Sequence, residues 1–146
     1  MSFSNTTETA LLELIFKNTN FANVGDATGL RGASTAGSFY LSLHTGDPGE
    51  AGTQTTNETA YTSYARIAVA RSGAGWTVSG NQVSNTALAQ FPLCTGGSST
   101  LTHFAIGTDS SGAGTVIMKG ALTSSLAVSN GIQPQFSAAA LTATLD

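Results

Sequence analysis

The feature that most limits what this chain can become is the character of its apolar segments after residue 38. Each is short, mixes apolar with polar side chains, and gives way to glycine, proline or other turn-forming residues. A period of two places alternate side chains on opposite faces of a strand. Phe39, Leu41 and Leu43 alternate in this way with Tyr40, Ser42 and His44, and Ile67 and Val69 share a face opposite Arg66. Residues 76–83 read as a hairpin, WTV and QVS joined across Ser79-Gly80-Asn81, where glycine supplies the positive φ of a tight turn. Residues 87–91 stop at Pro92, and residues 103–108 and 115–121 flank a loop at 109–114 (DSSGAG). Residues 132–136 contain Pro134, which lacks a ladder donor and predicts an edge strand or a bulge. Leu141, Ala143 and Leu145 alternate with Thr142 and Thr144 to close the chain. Seven to nine such strands predict a mainly β fold, an antiparallel β-sandwich or jelly-roll-like barrel.

Only the opening reads as helix. Asn5 is the expected N-cap, and Glu8 three residues later completes a capping-box-like pair favoured by the helix dipole. Leu11, Leu12, Ile15 and Phe16 recur at helical spacing, with Glu13 and Lys17 on the other side and an end expected near residues 18–20. A helix of about three turns is not stable alone in water. Its apolar stripe must therefore dock, either on its own domain or on a neighbouring subunit. Residues 25–37 (GDATGLRGASTAG) show no hydrophobic period and read as a loop. The expected organisation is a helix with a Gly-rich arm over residues 1–37 and a β-sandwich over 38–146, together one compact domain with neither internal repeat nor linker. Candidate assembly contacts are Leu11, Leu12, Ile15 and Phe16 on the helix, with Leu30 and Arg31 in the arm.

Composition narrows the function classes. A length of 146 residues fits one domain. Five Lys and Arg against eight Asp and Glu give a net charge of -3, with no basic cluster of the kind that phosphate binding needs, so no nucleic-acid partner is expected. One cysteine excludes a disulfide framework within the chain. No run approaches the roughly 18 apolar residues of a membrane helix, and no signal peptide opens the sequence, so no membrane partner is expected. Only 9% of the residues are charged, against roughly 25% in ordinary soluble domains. A weakly charged surface rich in hydroxyls and glycine predicts burial against copies of itself, or a place on a particle.

The inventory for catalysis is thin. The histidines are His44 and His103, and the sole thiol is Cys94. A Cys94–His103 pair has no oxyanion-hole or nucleophile-elbow signature around it, and a lone cysteine in a β protein reads as a small core hydrophobe. Nothing matches a zinc spacing. Asp47-Pro48-Gly49-Glu50 lacks the alternating ligands of a calcium loop and reads as a type I or II turn. No catalytic residue, metal site or cofactor is expected. His44 reads as a partly exposed edge residue, and His103 as the start of an apolar strand with its ring bonded to backbone. The glycine-rich stretch after Val24 has no Gly-Lys-Ser/Thr ending, so no phosphate cradle is expected there. Asn5-Thr6-Thr7 and Asn57-Glu58-Thr59 match glycosylation sequons, which carry no weight without a secretion signal. Trp76 with Tyr61 and Tyr64 offers either a sugar-binding platform or core filling.

The stretch YLSLHTGDPGEAGT at 40–53 is followed in order by Tyr64-Ala65-Arg66, by Asn85-Thr86-Ala87 with Phe91-Pro92, and by LTHFAI at 101–106. Gly120-Ala121-Leu122 and a closing LTATLD at 141–146 complete the set. In that order these pieces resemble a family of small tailed-bacteriophage structural proteins, commonly labelled tail fibre or minor virion proteins. The resemblance runs from Phe39 to the end. The segment 94–100 departs from the pattern in lacking a tryptophan, and the 25–37 loop is longer.

The resemblance implies a non-enzymatic virion component that binds copies of itself by repeated weak contacts. The favoured expectation is a head decoration or cement protein, a symmetric oligomer (a trimer) bound to the major capsid protein. The alternative is a tail or tail-fibre component, an adaptor or tip bound to tail proteins. A carbohydrate-binding module working through Trp76 and the tyrosines is the third.

Overall fold

The computed structural model describes residues 2–145. The fold is mainly β, with antiparallel sheets and one short N-terminal helix, and no sheet closes into a barrel. The chain packs as two units. Unit 1 gathers Met1–Ser38, Ala70–Leu88 and Phe136–Asp146; unit 2 gathers Phe39–Val69 and Ala89–Gln135. The chain passes from one unit to the other four times, first between Ser38 and Phe39.

Unit 1 holds helix α1 (Asn5–Lys17) and a three-stranded sheet of β3 (Trp76–Ser79), β4 (Gln82–Asn85) and β9 (Thr142–Thr144), in the order β3-β4-β9. The β3–β4 hairpin forms as its sequence predicts, with Val78 opposite Val83 and Gly80 at φ 61° in the turn. The helix packs on β3 and β4. Leu12 and Phe16 are fully buried there with Trp76, Val83 and Leu141, and the Phe16 and Trp76 rings meet edge to face at 4.9 Å. Burying such a side chain is worth about 1.5–3 kcal/mol, which explains how so short a helix persists. Its stripe therefore docks on its own unit.

The helix begins one residue earlier than its sequence signature places it. Ser4 is the N-cap, extended at φ -75° and ψ 153°, and its hydroxyl accepts from the Thr7 amide at 3.4 Å. Asn5 is already the first helical residue, and the side chain of Glu8 is buried rather than aligned for a capping box with Asn5. Asn18 ends the helix in the left-handed region (φ 59°), its amide donating to the Glu13 carbonyl. Arg71 completes that end: its Nε and Nη2 donate to the carbonyls of Ile15 (2.6 Å) and Leu14 (3.0 Å), and Nη1 donates to Ala36 (3.0 Å).

The Gly-rich arm has more local order than a plain loop. Phe21 and Leu30 exchange two backbone hydrogen bonds, and Asp26 Oδ1 accepts from the amides of Thr28 and Gly29. The Asn18 side chain both donates to and accepts from the backbone of Ala33, returning the arm to the helix end. At the other end of the unit the buried Asn85 side chain donates to the carbonyls of Ala87 and Ser137 and accepts from the Leu141 amide. That amide adds to the β4–β9 ladder and the Asn81 bonds to Leu145 in holding the C-terminal segment.

Unit 2 is built on a four-stranded sheet in the order β2-β1-β6-β7, of β1 (Ser38–His44), β2 (Ile67–Ala70), β6 (Ser98–Gly107) and β7 (Val116–Ser129). A separate short pair joins β5 (Ala89–Gln90) to β8 (Gln135–Phe136), which starts directly after the buried Pro134. One face of β1 and β6 carries Leu41, Leu43, Phe104 and Ile106, all buried, and the opposite face is covered too, with Ser42 and Ala105 at 0% exposure.

Strands β6 and β7 are longer than residues 103–108 and 115–121. Their added halves pair Ser98–Leu101 with residues 126–129, where Ser98, Ser99 and Thr100 give β6 no apolar alternation to read. Between those halves the ladder slips: residues 122–125 of β7 lie opposite Thr102 alone, and Ile117 is likewise left over between Val116 and Met118.

Candidate functional site

The densest polar constellation lies at the loop end of unit 2, where three segments converge: residues 45–58, 61–66 and 109–114. Arg66 sits just before β2 and Glu58 just after a turn at Asn57, whose φ of 56° redirects the chain. The guanidinium donates to both carboxylate oxygens, Nε to Oε1 and Nη2 to Oε2, each at 2.7 Å. Their side chains are 3% and 14% exposed. The remaining Arg66 donors close the 109–114 loop, reaching the carbonyls of Asp109 (2.9 Å) and Gly112 (2.7 Å). Hydrogen bonding to the Glu58 carboxylate raises the Arg66 pKa above its ordinary value.

Tyr64 joins this pair to the sheet. Its hydroxyl donates to Glu58 Oε1 at 2.9 Å and accepts from the Leu43 amide at 3.0 Å, and burial pushes its pKa far up. Burial also pushes the neighbouring Tyr61 hydroxyl up to about 12; it donates to the Pro92 carbonyl. From the other side comes Gln54, fully buried, whose Nε2 donates to the Tyr40 carbonyl and whose Oε1 accepts from the Asp109 amide. The cleft that results is open, about 270 Å³, lined by Glu58, Tyr64, Arg66, Ser110, Ser111 and Gly112. The Glu58 and Arg66 side chains in its wall are occupied by each other, by Tyr64 and by the loop carbonyls. What this arrangement achieves is a loop held at Asp109 and Gly112 by Arg66, with Ser110 and Ser111 exposed between them.

Lys119 on β7 forms a second cluster with Asp47 (3.0 Å) and Glu50 (3.1 Å), which raises its pKa; Asp47 is lowered first by the Gly49 amide and then by Lys119. The backbone turn runs from Gly49 to Gly52 rather than from Asp47 to Glu50, closed by the Gly52 amide on the Gly49 carbonyl with Gly49 at φ 78°. Asp47 accepts from the Gly49 amide and is tied down by a lysine 72 positions away. Both carboxylates are more than half exposed, so the cluster contributes little to stability.

His44 differs from its expected exposure at an edge. Strand β1 lies inside the sheet order, and His44 is fully buried opposite His103. Its Nδ1 lies 2.9 Å from the Thr56 carbonyl and its Nε2 2.8 Å from the Ser42 hydroxyl. A serine–histidine contact with both partners at 0% exposure offers no substrate a way in. His103 lies mid-strand, its Nδ1 2.9 Å from the Thr102 hydroxyl rather than on backbone. Cys94 is buried and donates to the Gly96 carbonyl, the role of a small core residue. Asn5 begins the helix, and Asn57 donates its side-chain amide to the Asp47 carbonyl.

The aromatic platform is absent. Trp76 is fully buried in unit 1, while Tyr61 and Tyr64 pack edge to face in unit 2 with Tyr64 stacked on Phe91. Of the six candidate assembly residues, Leu12 and Phe16 are fully buried, Leu11 and Ile15 half-buried, and Leu30 and Arg31 exposed. Arg31 turns back on Asp26 and Thr28.

No curated protein matches the chain. A family model described as podophage GP4 fiber I protein gp80 matches residues 2–144, taking in the helix and arm as well as the sheets, so this chain belongs to that family and is a phage structural protein, a component of the virion.

Proposed function

We propose that this chain is a non-enzymatic building block of a podophage tail fibre, rather than a head decoration or cement protein. The observation that carries it is the fibre family's match over residues 2–144. The surface supports it. Charged side chains are few, and large apolar ones stand exposed on both units, among them Phe3, Leu30 and Leu88 on unit 1 and Leu93, Leu126 and Ile132 on unit 2. Scattered apolar contacts without strong charge suit repeated association with copies of itself and with neighbouring tail proteins, where avidity supplies the strength.

Immunogold labelling of intact particles tests the location: label on the tail supports the fibre, and label over the head overturns it in favour of cement. Deleting residues 1–37 is the wrong probe of the arm, because it strips Leu12 and Phe16 from the core of unit 1. Leu30→Asp, at a 44% exposed position, leaves that core intact. If the arm joins copies, the variant folds, and assembles into oligomers and particles at reduced occupancy; unchanged occupancy removes the arm from the interface.

A further inference from the structure

Residues 45–58 leave the sheet at the end of β1 and return to it beside the same residue. Thr45 donates its amide to Asn57, Thr59 donates to Leu43, and His44 itself bridges to Glu58. Inside this ring of bonds lies the His44 imidazole, 0% exposed. The Thr56 carbonyl can only accept, so Nδ1 carries the proton and Nε2 remains the acceptor for the Ser42 hydroxyl. The neutral ring is thus satisfied at both nitrogens.

A second proton disturbs this arrangement. It lands on Nε2, where Ser42 must reverse its hydroxyl and find the Ala105 carbonyl, 3.5 Å away. The charged and titratable groups that act on the ring are Glu58 and Arg66 from the 58–66 segment and His103 from β6; Glu58 favours the cation, while Arg66 and His103 oppose it. Burial is the largest influence and holds His44 below its ordinary pKa. An imidazolium in this position is hydrated only if its cover moves. On one side that cover is the β1–β6 ladder, from Tyr40–Gly107 to His44–His103. On the other it is residues 45–58, held by fewer backbone bonds.

We propose that His44 is an acid-sensitive latch on residues 45–58, which stay closed over the neutral ring and open to admit water to the charged one. The direction follows from linkage. The closed form binds the proton less readily than the open form, so closure is at full strength above the ordinary histidine value of about 6.5 and weakens as pH falls below it. The latch does not depend on where in the virion the chain sits.

Amide hydrogen exchange on the intact protein between pH 7.5 and 4.5, corrected for intrinsic rates, tests it. Protection at the hydrogen-bonded amides of Thr45, Gln54 and Thr59 falls by up to ten-fold per pH unit below about 6.5, while the amides of β3 and β4 in unit 1 keep theirs. His44→Gln removes the pH slope, whatever it does to the absolute level, and His103→Gln retains it. Nitrogen-15 spectra of the unsubstituted protein follow the ring directly and show His44 titrating below its ordinary value. Parallel loss of protection in β3 and β4, a slope that survives His44→Gln, or a His44 ring titrating at its ordinary pKa overturns the latch.

Discussion

Arg66 and Glu58 face each other through two hydrogen bonds of 2.7 Å in a nearly dry site, and the same guanidinium spans to the 109–114 loop. Removing one member of such a pair strands the other as an uncompensated buried charge. Arg66→Met is expected to cost about 3–5 kcal/mol and to loosen residues 109–114. Arg66→Met with Glu58→Leu costs less than the sum of the single changes, since no charge is left behind. Urea unfolding of the four proteins of the cycle measures this; additive costs mean that the pair is not coupled.

Gln54 fills the space that side chains on Gly107 and Gly114 would need. A Cβ on Gly107 meets Gln54 Cδ, and one on Gly114 meets Gln54 Oε1 and, at 2.8 Å, the Cβ of Asp109. Gly107→Ala is expected to lower stability by about 1–3 kcal/mol through overpacking. Shortening the obstacle relieves it, so Gly107→Ala costs less in a Gln54→Ala background than in the parent. Thermal melts of the two pairs give the comparison.

Arg71 satisfies two carbonyls at the C-terminal end of α1, where backbone acceptors lack intrahelical donors. Hydrogen bonds from a charged donor are worth about 1.5–3 kcal/mol. Arg71→Met should therefore destabilise unit 1 by about that amount, read from unfolding midpoints followed by Trp76 fluorescence. Arg71→Lys recovers only part of it, because a point charge cannot reproduce three directed bonds to Leu14, Ile15 and Ala36.

Ser4 and Asn5 exchange roles between the sequence signature and the fold, which stability measurements can separate. Ser4→Ala is expected to cost about 1 kcal/mol as the loss of an N-cap. Asn5→Ala, at the first helical position on an exposed face, changes stability by less than about 0.5 kcal/mol. The reverse ranking places the cap at Asn5.

Contrast in side-chain polarity decided which elements were legible. The Leu12–Phe16 stripe, the alternation of Phe39, Leu41 and Leu43, and the Gly80 hairpin stand out because apolar and polar residues take turns there. The outer halves of β6 and β7 do not, since Ser98, Ser99, Thr123 and Ser124 look alike from either face. Strand order is set by distant pairing, so nothing in the neighbourhood of His44 reveals that β1 lies between β2 and β6. The cleft was hidden for a related reason. Its lining residues, Glu58, Tyr64, Arg66 and Ser110 to Gly112, are scattered along the chain, and Arg66 reads locally as the polar side of a strand. One signal was available. In a sequence with 9% charged residues, each arginine is conspicuous, and both Arg66 and Arg71 prove to be structural anchors.

Strand β7 ends its sheet after 14 residues, with no proline and a single lysine already held by Asp47 and Glu50. A straight rim of that length would be a template on which chain after chain could add, as in amyloid. The slips at Ile117 and at 122–125 crease the rim twice and throw its donors and acceptors out of line. The creased edge therefore resists the addition of another chain strand by strand.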